Sequence, residues 1–386
     1  MKKLKIALIW KVLAAGLLGC LLGPVLPIPA IRIFVTFNYL FSQYIGFMIP
    51  LIIVGLVTPA ICRVGSGAGK MLLCTIVLAY LSSVIAGLFS YGVSTSVFPG
   101  LLGGIHMNVN SVDSDTIKPF FTLDIPPVMS VTTALALAFL TGILLTVTGK
   151  GALKNVVFDF EELVAKAIAS TLIPILPIYI FGIFLKMAST AEILPVLSVF
   201  AKIIVVIFAM SIVWLIAIFC ISGAISRSNP FKSLFSMLPA YFTALGTSSS
   251  AATIPVTLSS VAKCGVSGPV GNFTVPLCAS IHMPGSMIKI TACAITIMLL
   301  QGMPFSFDLV LRFVMLLAIT AVAAPGVPGG VIMASLGVLS SVLGFDQTSL
   351  ALMITLYIVM DSFGTACNVM SDGALSLIID KAFKSR

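Results

Sequence analysis

Four polar residues near the C-terminal end of the chain, Asp361, Thr365, Asn368 and Asp372, follow one another at intervals of four, three and four. At about 100° per residue this spacing places all four within roughly 60° of one helix face. The positions between them include Phe363, Ala366, Val369 and Met370, so the polar stripe runs along an apolar helix. Two carboxylates, a hydroxyl and an amide aligned this way are costly in a membrane unless they face a polar chamber. Asp361 suits a cationic amine, the Asn368 amide suits a carboxylate, and Asp372 suits a small cation helped by carbonyl oxygens. The two aspartates are about 16 Å apart along the helix, too far to share a proton as a catalytic pair.

Three other clusters bear on the same chemistry. Ser248, Ser249 and Ser250 follow Gly246 and Thr247 and offer hydroxyls and free backbone N–H groups at a helix start, which attract a carboxylate. No histidine or carboxylate base lies near them in sequence, so serine-nucleophile chemistry is not expected, and no catalytic residue is assigned. His282, Met283, Pro284, Gly285 and Ser286 interrupt another apolar segment. There Pro284 removes a backbone donor and frees a carbonyl one turn earlier, one way of coordinating sodium. His282 either titrates or packs through hydrogen bonds, and Lys289, deeper in the segment, either snorkels or pairs with a partner the sequence does not name. Ser82 and Ser83 put hydroxyls into a third apolar run. Eight cysteines are scattered without Cys-x-x-Cys spacing or a histidine at ligand distance, and read as small apolar side chains.

The elements that position these residues follow from composition. Of 386 residues 59% are hydrophobic and 9% charged, against about 25% charged in an ordinary soluble domain, which excludes a water-soluble fold. The excess of Lys and Arg, 21 against 12 acidic residues, sits in short clusters between apolar runs and reads as membrane topology, with no nucleic-acid partner expected. Runs of about 20 apolar residues predict eight spans near 7–28, 33–60, 70–94, 127–148, 163–188, 195–222, 270–300 and 347–378. With both termini cytoplasmic, Arg63 and Lys70, Lys150 and Lys154, Arg227 and Lys232, and Lys381, Lys384 and Arg386 all fall inside, while Asp113, Asp115 and Asp124 fall outside. The expected location is a cell inner (plasma) membrane, in a bilayer crossed many times.

Two segments break that count. Residues 233–262 and 309–344 each read as two short apolar arms around a non-helical tip, the second tip being Pro325, Gly326, Val327, Pro328, Gly329 and Gly330. Arms of about 12 to 16 residues reach only about 18 to 24 Å, short of a full crossing, and suit re-entrant hairpins whose tips rest on protein or line a wet cavity. Two interrupted segments in matching positions point to an inverted-repeat transporter with its binding site between them. The fold class expected is therefore an all-α polytopic membrane protein of eight transmembrane helices and two re-entrant helical hairpins.

Ser248 to Pro255, the Gly-Val-Pro-Gly run at Gly326 to Gly329 and the stripe Asp361, Thr365, Asn368 and Asp372 together resemble three ordered signatures of the dicarboxylate/amino acid:cation symporter family. The resemblance covers nearly the whole chain and is most specific from 233 to 378. It implies an elevator-type transporter and a homotrimer, with residues 1–60 and 127–190 as scaffold and 70–95 and 195–380 as the moving transport domain. Substrate contacts implied are Ser248, Ser249 and Ser250 from the first tip, Val327, Pro328 and Gly329 from the second, and Asp361, Gly364, Thr365 and Asn368 from the last helix. Asp361 would take the substrate amino group and Asn368 its carboxylate. Cation contacts implied are Asp372 and Asn368 with His282, Ser82 and Ser83. Sodium is the coupling ion expected, a proton through His282 the alternative, and no other cofactor is expected.

Two departures from the family pattern shape the substrate expectation. Members that take acidic substrates carry an Arg immediately before the Thr of the last helix, where this chain has Gly364, so a side-chain carboxylate would lack its bidentate partner. A small neutral amino acid is expected for that reason, with a dicarboxylate or acidic amino acid as the alternative. The family's Asn-Met-Asp-Gly-Thr motif is replaced by His282 to Ser286, which removes an Asn and an Asp used for sodium.

Overall fold

The computed structural model describes residues 8–65, 70–102, 117–148, 151–189, 193–322, 324 and 329–383. All regular structure among them is helical. The first group is α1 (Leu8–Leu22), α2 (Ile28–Gly65), α3 (Lys70–Leu102), α4 (Val131–Thr148), α5 (Ala152–Ala167) and α6 (Ile173–Ser189), the last two joined through a π turn at Ile168–Leu172. That wider turn lies just before Pro174, whose ring cannot donate to the preceding turn, a common cause of a local bulge. Then come α7 (Ile193–Ser226), α8 (Pro230–Thr247), α9 (Ser250–Lys263), α10 (Gly268–Ile281), α11 (Pro284–Leu300), α12 (Phe307–Val322), α13 (Gly330–Leu343), α14 (Gln347–Val359) and α15 (Asp361–Phe383).

By length and composition, five described stretches can cross a bilayer: Ile28–Pro59, Lys70–Leu102, Ala152–Lys186, Ser198–Ser226 and Gly268–Leu300. The bent pair α14 and α15 makes a sixth if counted as one span. Trp10–Leu22 and Ala136–Thr148, where the sequence predicts two of its eight spans, are shorter apolar helices among the described residues. The expected span at 163–188 is the second part of a longer helix that already begins at Ala152.

Two expected spans are broken where the polar residues sit. Gly268–Leu300 is interrupted at His282 and Met283, both outside helical geometry, because a residue preceding proline is pushed from the α region and Pro284 is suited to a first helical position. The segment predicted as one span over 347–378 bends by 63° between α14 and α15, at Met360. No proline or glycine stands at Met360, and from Leu350 to Met360 only Thr355 and Tyr357 carry hydroxyls, so hydropathy alone reads straight through the bend.

Each expected hairpin is a pair of helices packed on one another, α8 with α9 and α12 with α13. None of these four arms meets the length and hydropathy of a span among the described residues. The first tip is Ser248, in the left-handed region with φ 50°, and Ser249, an extended N-cap whose hydroxyl accepts from Ala252 N. In the second tip Gly329 is described, with φ 78°; Val327 and Pro328 lie outside the described residues.

The buried centre is α11, which packs on α3, α15, α14 and α7 and buries all but one of its residues, Leu299. Around it, α3 and α7 leave Leu73, Val77, Leu81, Ile85, Val205 and Ile216 exposed, as lipid-facing helices do. Lipid is as apolar as leucine, so helix association here depends on close packing more than on hydrophobic burial. One close approach is between α11 and α15: a Cβ on Gly285 would stand 2.5 Å from the Gly364 carbonyl oxygen and 2.7 Å from Cys367 Cβ.

Candidate functional site

The bend at Met360 makes Asp361 the first residue of α15, where the helix dipole favours a carboxylate. Its Oδ1 lies 3.0 Å from Lys289 Nζ on α11, and its Oδ2 accepts from the backbone N–H of Gly329 at 2.9 Å. One side chain thus ties the second hairpin tip to the core. Lys289 is 1% exposed and its ammonium sits 3.5 Å over the centre of the Tyr357 ring, a cation–π contact from α14. Its stem runs across Gly364, where a Cβ would meet Nζ at 2.7 Å and Cε at 2.8 Å.

Thr365 turns its hydroxyl back to the Asp361 carbonyl at 2.9 Å, a bond within the helix. Asn368, 3% exposed, faces the start of α11: its Oδ1 accepts from Gly285 N at 2.8 Å and from Ser286 N at 3.3 Å. The first N–H groups of a helix lack partners within it, and here a side chain of the neighbouring helix supplies them. The Asn368 amide donates to Ser286 Oγ at 3.2 Å.

One turn further, Asp372 is 1% exposed and accepts from His282 Nδ1 at 2.9 Å, while Ser82 Oγ lies 2.9 Å from His282 Nε2. With an ionised carboxylate the ring donates from Nδ1, and Nε2 then accepts the Ser82 hydroxyl in the neutral imidazole or donates to it in the imidazolium. Ser83 accepts from Met283 N at 3.2 Å, and Ser90 donates to the Ile288 carbonyl at 2.7 Å. Hydroxyls of α3 therefore support the break between α10 and α11. Because Met283 N is spent on Ser83 and Pro284 has no N–H, the carbonyls of Ala279 and Ser280 lose their in-helix donors.

At the first tip Ser248 and Ser362 share a hydrogen bond of 2.6 Å between hydroxyls, so this hairpin too is fastened beside Asp361. Ser249 serves as the helix cap and Ser250, half-buried, opens α9. The structure thus gathers the sequence-predicted residues into two adjoining groups along α15. Ser248, Asp361, Gly364 and Gly329 form one with Lys289, while Asn368, Asp372, His282, Ser82 and Ser83 line the helix break. Residues not singled out beforehand are Ser90, Ser362 and Tyr357. Tyr357 stands four residues before Asp361 and so extends the stripe backward, a signal the spacing contained; Ser362 lies off the stripe and left none.

An apolar cavity of about 230 Å³ touches this region on the α7 side of α11 and α15, walled by Ile204, Ile207, Phe208, Met360 and Phe363 with the stem of Lys289. Its lining is apolar apart from Ser211, the Lys289 side chain and the backbone at Gly285 and Gly364, so it borders the first polar group.

The family model described as sodium:dicarboxylate symporter family matches residues 8–382. The serine/threonine transporter SstT of Acinetobacter baumannii (strain AYE) is 26% identical over 399 residues, covering 97% of each chain. An excitatory amino acid transporter of Caenorhabditis elegans is 27% identical over 252 residues, covering 63% of this chain and 49% of its own. The neutral amino acid transporter B(0) of Rattus norvegicus is 27% identical over 161 residues, or 40% of this chain and 29% of that one. With that match running almost end to end, and with the two hairpins and the broken helix meeting on the acidic stripe of α15, the chain belongs to the sodium:dicarboxylate symporter family.

Proposed function

We propose that this chain is a secondary active symporter that moves a small carboxylate-bearing solute inward by elevator alternating access, using a cation gradient, expected to be sodium. The observation that carries the reading is the convergence on α15. Asp361 holds Gly329 of the second tip, its neighbour Ser362 holds Ser248 of the first, and Asn368 and Asp372 hold the break between α10 and α11. A solute entering between the tips would exchange some of these internal contacts for its own, which couples occupancy to the closure of both hairpins.

Cation coupling rests on the second group. Asp372, the Ser82 and Ser83 hydroxyls and the freed carbonyls offer the hard oxygen atoms that sodium prefers, with His282 standing between Asp372 and Ser82. That imidazole supports a second reading in which a proton replaces one sodium ion. The cargo has two candidates as well: Gly364 alone favours a small neutral amino acid, whereas the Lys289 ammonium lying across it supplies a cation and favours a dicarboxylate or acidic amino acid.

The proposal includes a homotrimer in a plasma membrane, with scaffold at 1–60 and 127–190 and transport domain at 70–95 and 195–380. Purified protein in liposomes tests it through uptake of labelled serine, alanine, aspartate and succinate under an inward sodium gradient, repeated with choline and with a pH gradient. Saturable accumulation that follows one cation gradient is expected. Large, unsaturable currents would instead mark a channel.

A further inference from the structure

The Lys289–Asp361 pair bears directly on what the site carries, and the inference here rests on the symporter reading above. We propose that Lys289 permanently fills the place of a cargo ammonium at Asp361, so that the solute transported is a small carboxylate with no amino group, such as a hydroxy acid or a dicarboxylate.

Four observations lead there. Both carboxylate oxygens of Asp361 are engaged, Oδ1 by Lys289 at 3.0 Å and Oδ2 by Gly329 N at 2.9 Å. Lys289 is held on its other side by the Tyr357 ring at 3.5 Å. Its stem takes the space above residue 364, where even a methyl group would stand 2.7 Å from Nζ, so the glycine and the lysine are matched to each other. An apolar cavity beside the stem, walled by Ile207, Phe208 and Phe363, offers an ammonium displaced from Asp361 no carboxylate among its described lining residues.

An amino acid would therefore have to expel a buried, tethered cation from its partner and bring a second positive charge beside it. A tethered group competes at a high effective concentration, and a like charge at close range adds repulsion. A solute lacking the ammonium meets no such competition: its carboxylate finds the Lys289 ammonium and the hydroxyls and N–H groups at the start of α9, with Asp361 already neutralised. Lys289 thereby supplies, from α11, a cation beside Gly364 of the last helix.

Matched pairs differing at the amino group provide the test on the intact chain in liposomes: glycerate against serine, lactate against alanine, malate against aspartate. In each pair the member without the amine should compete for uptake at least tenfold more strongly. Lys289→Met, which frees Asp361, should move that ratio at least tenfold toward the amine-bearing member. Lys289→Met with Asp361→Asn, which leaves no unpaired buried charge, serves where the single variant is not recovered folded, and should lose discrimination between the members. Preference of the unmodified protein for serine, alanine or aspartate overturns the proposal and leaves the symporter reading standing, as does an unchanged ratio in the Lys289 variants. Absence of saturable uptake for both series defeats the symporter reading, and this inference with it.

Discussion

At the scale of single residues, the buried polar groups of α15 work as connectors, and their loss should be felt as stability before it is felt as chemistry. Asn368→Ala leaves the Gly285 and Ser286 N–H groups buried without an acceptor. An unsatisfied buried donor costs about 1–3 kcal/mol, and the expected outcome is a clear drop in the melting temperature of the detergent-purified protein. Gly364→Ala places a methyl group 2.7 Å from Lys289 Nζ and should dislodge the ammonium from Asp361. Overpacking of this kind costs about 1–3 kcal/mol. The same change made on a Lys289→Ala background, where the stem is gone, should cost far less, so a double-mutant cycle of melting temperatures should show strong coupling. Additive effects would mean that Gly364 does not make room for Lys289. The stripe itself was legible from its spacing, since four polar residues on one face of an apolar helix have few structural explanations. The partner of Lys289 was not legible, because 72 residues separate it from Asp361 and the juxtaposition is created by the crossing of two helices.

At the scale of elements, the sequence punctuates some breaks and hides others. Pro284 announces the start of α11, and the runs at Gly246 to Ser250 and Pro325 to Gly330 announce turns. The bend at Met360 has no such residue and is set by where α15 must lie to bring Asp361 to Lys289 and Gly329. Tertiary contacts decide it, and a reading of hydropathy cannot see them. The fastening of the first hairpin to α15 gives a direct check. Ser248 and Ser362 hydroxyls are 2.6 Å apart, close enough that cysteines there should reach disulfide geometry with little backbone movement. Mild oxidation of the Ser248→Cys/Ser362→Cys variant should form that bond and stop uptake, and a reductant should restore it, while neither single variant responds. Full activity with the disulfide formed would show that the first tip need not separate from α15 during transport.

At the scale of the whole molecule, the question is which helices move together. The packing runs in two sets: α2 lies mainly on α4, α5 and α6, while α11 gathers α3, α7, α14 and α15. Between the sets, Val57 and Ile61 of α2 face Ile76, Tyr80, Ile281, Ile319 and Val322 across an apolar cavity of about 170 Å³. The cavity is a half-open cleft, so along it the side chains of the two sets do not interlock as they do in a packed interior. A sliding surface needs such looseness, since interlocked side chains would have to unlock on every passage. Ile319→Phe should fill part of the void and raise the barrier to sliding. Transport by the variant should then slow severalfold with substrate affinity, measured by thermal shift of the solubilised protein, unchanged. If α2 and α12 instead belong to one rigid body, the same substitution acts as ordinary cavity filling, stabilising the protein and leaving the turnover rate where it was.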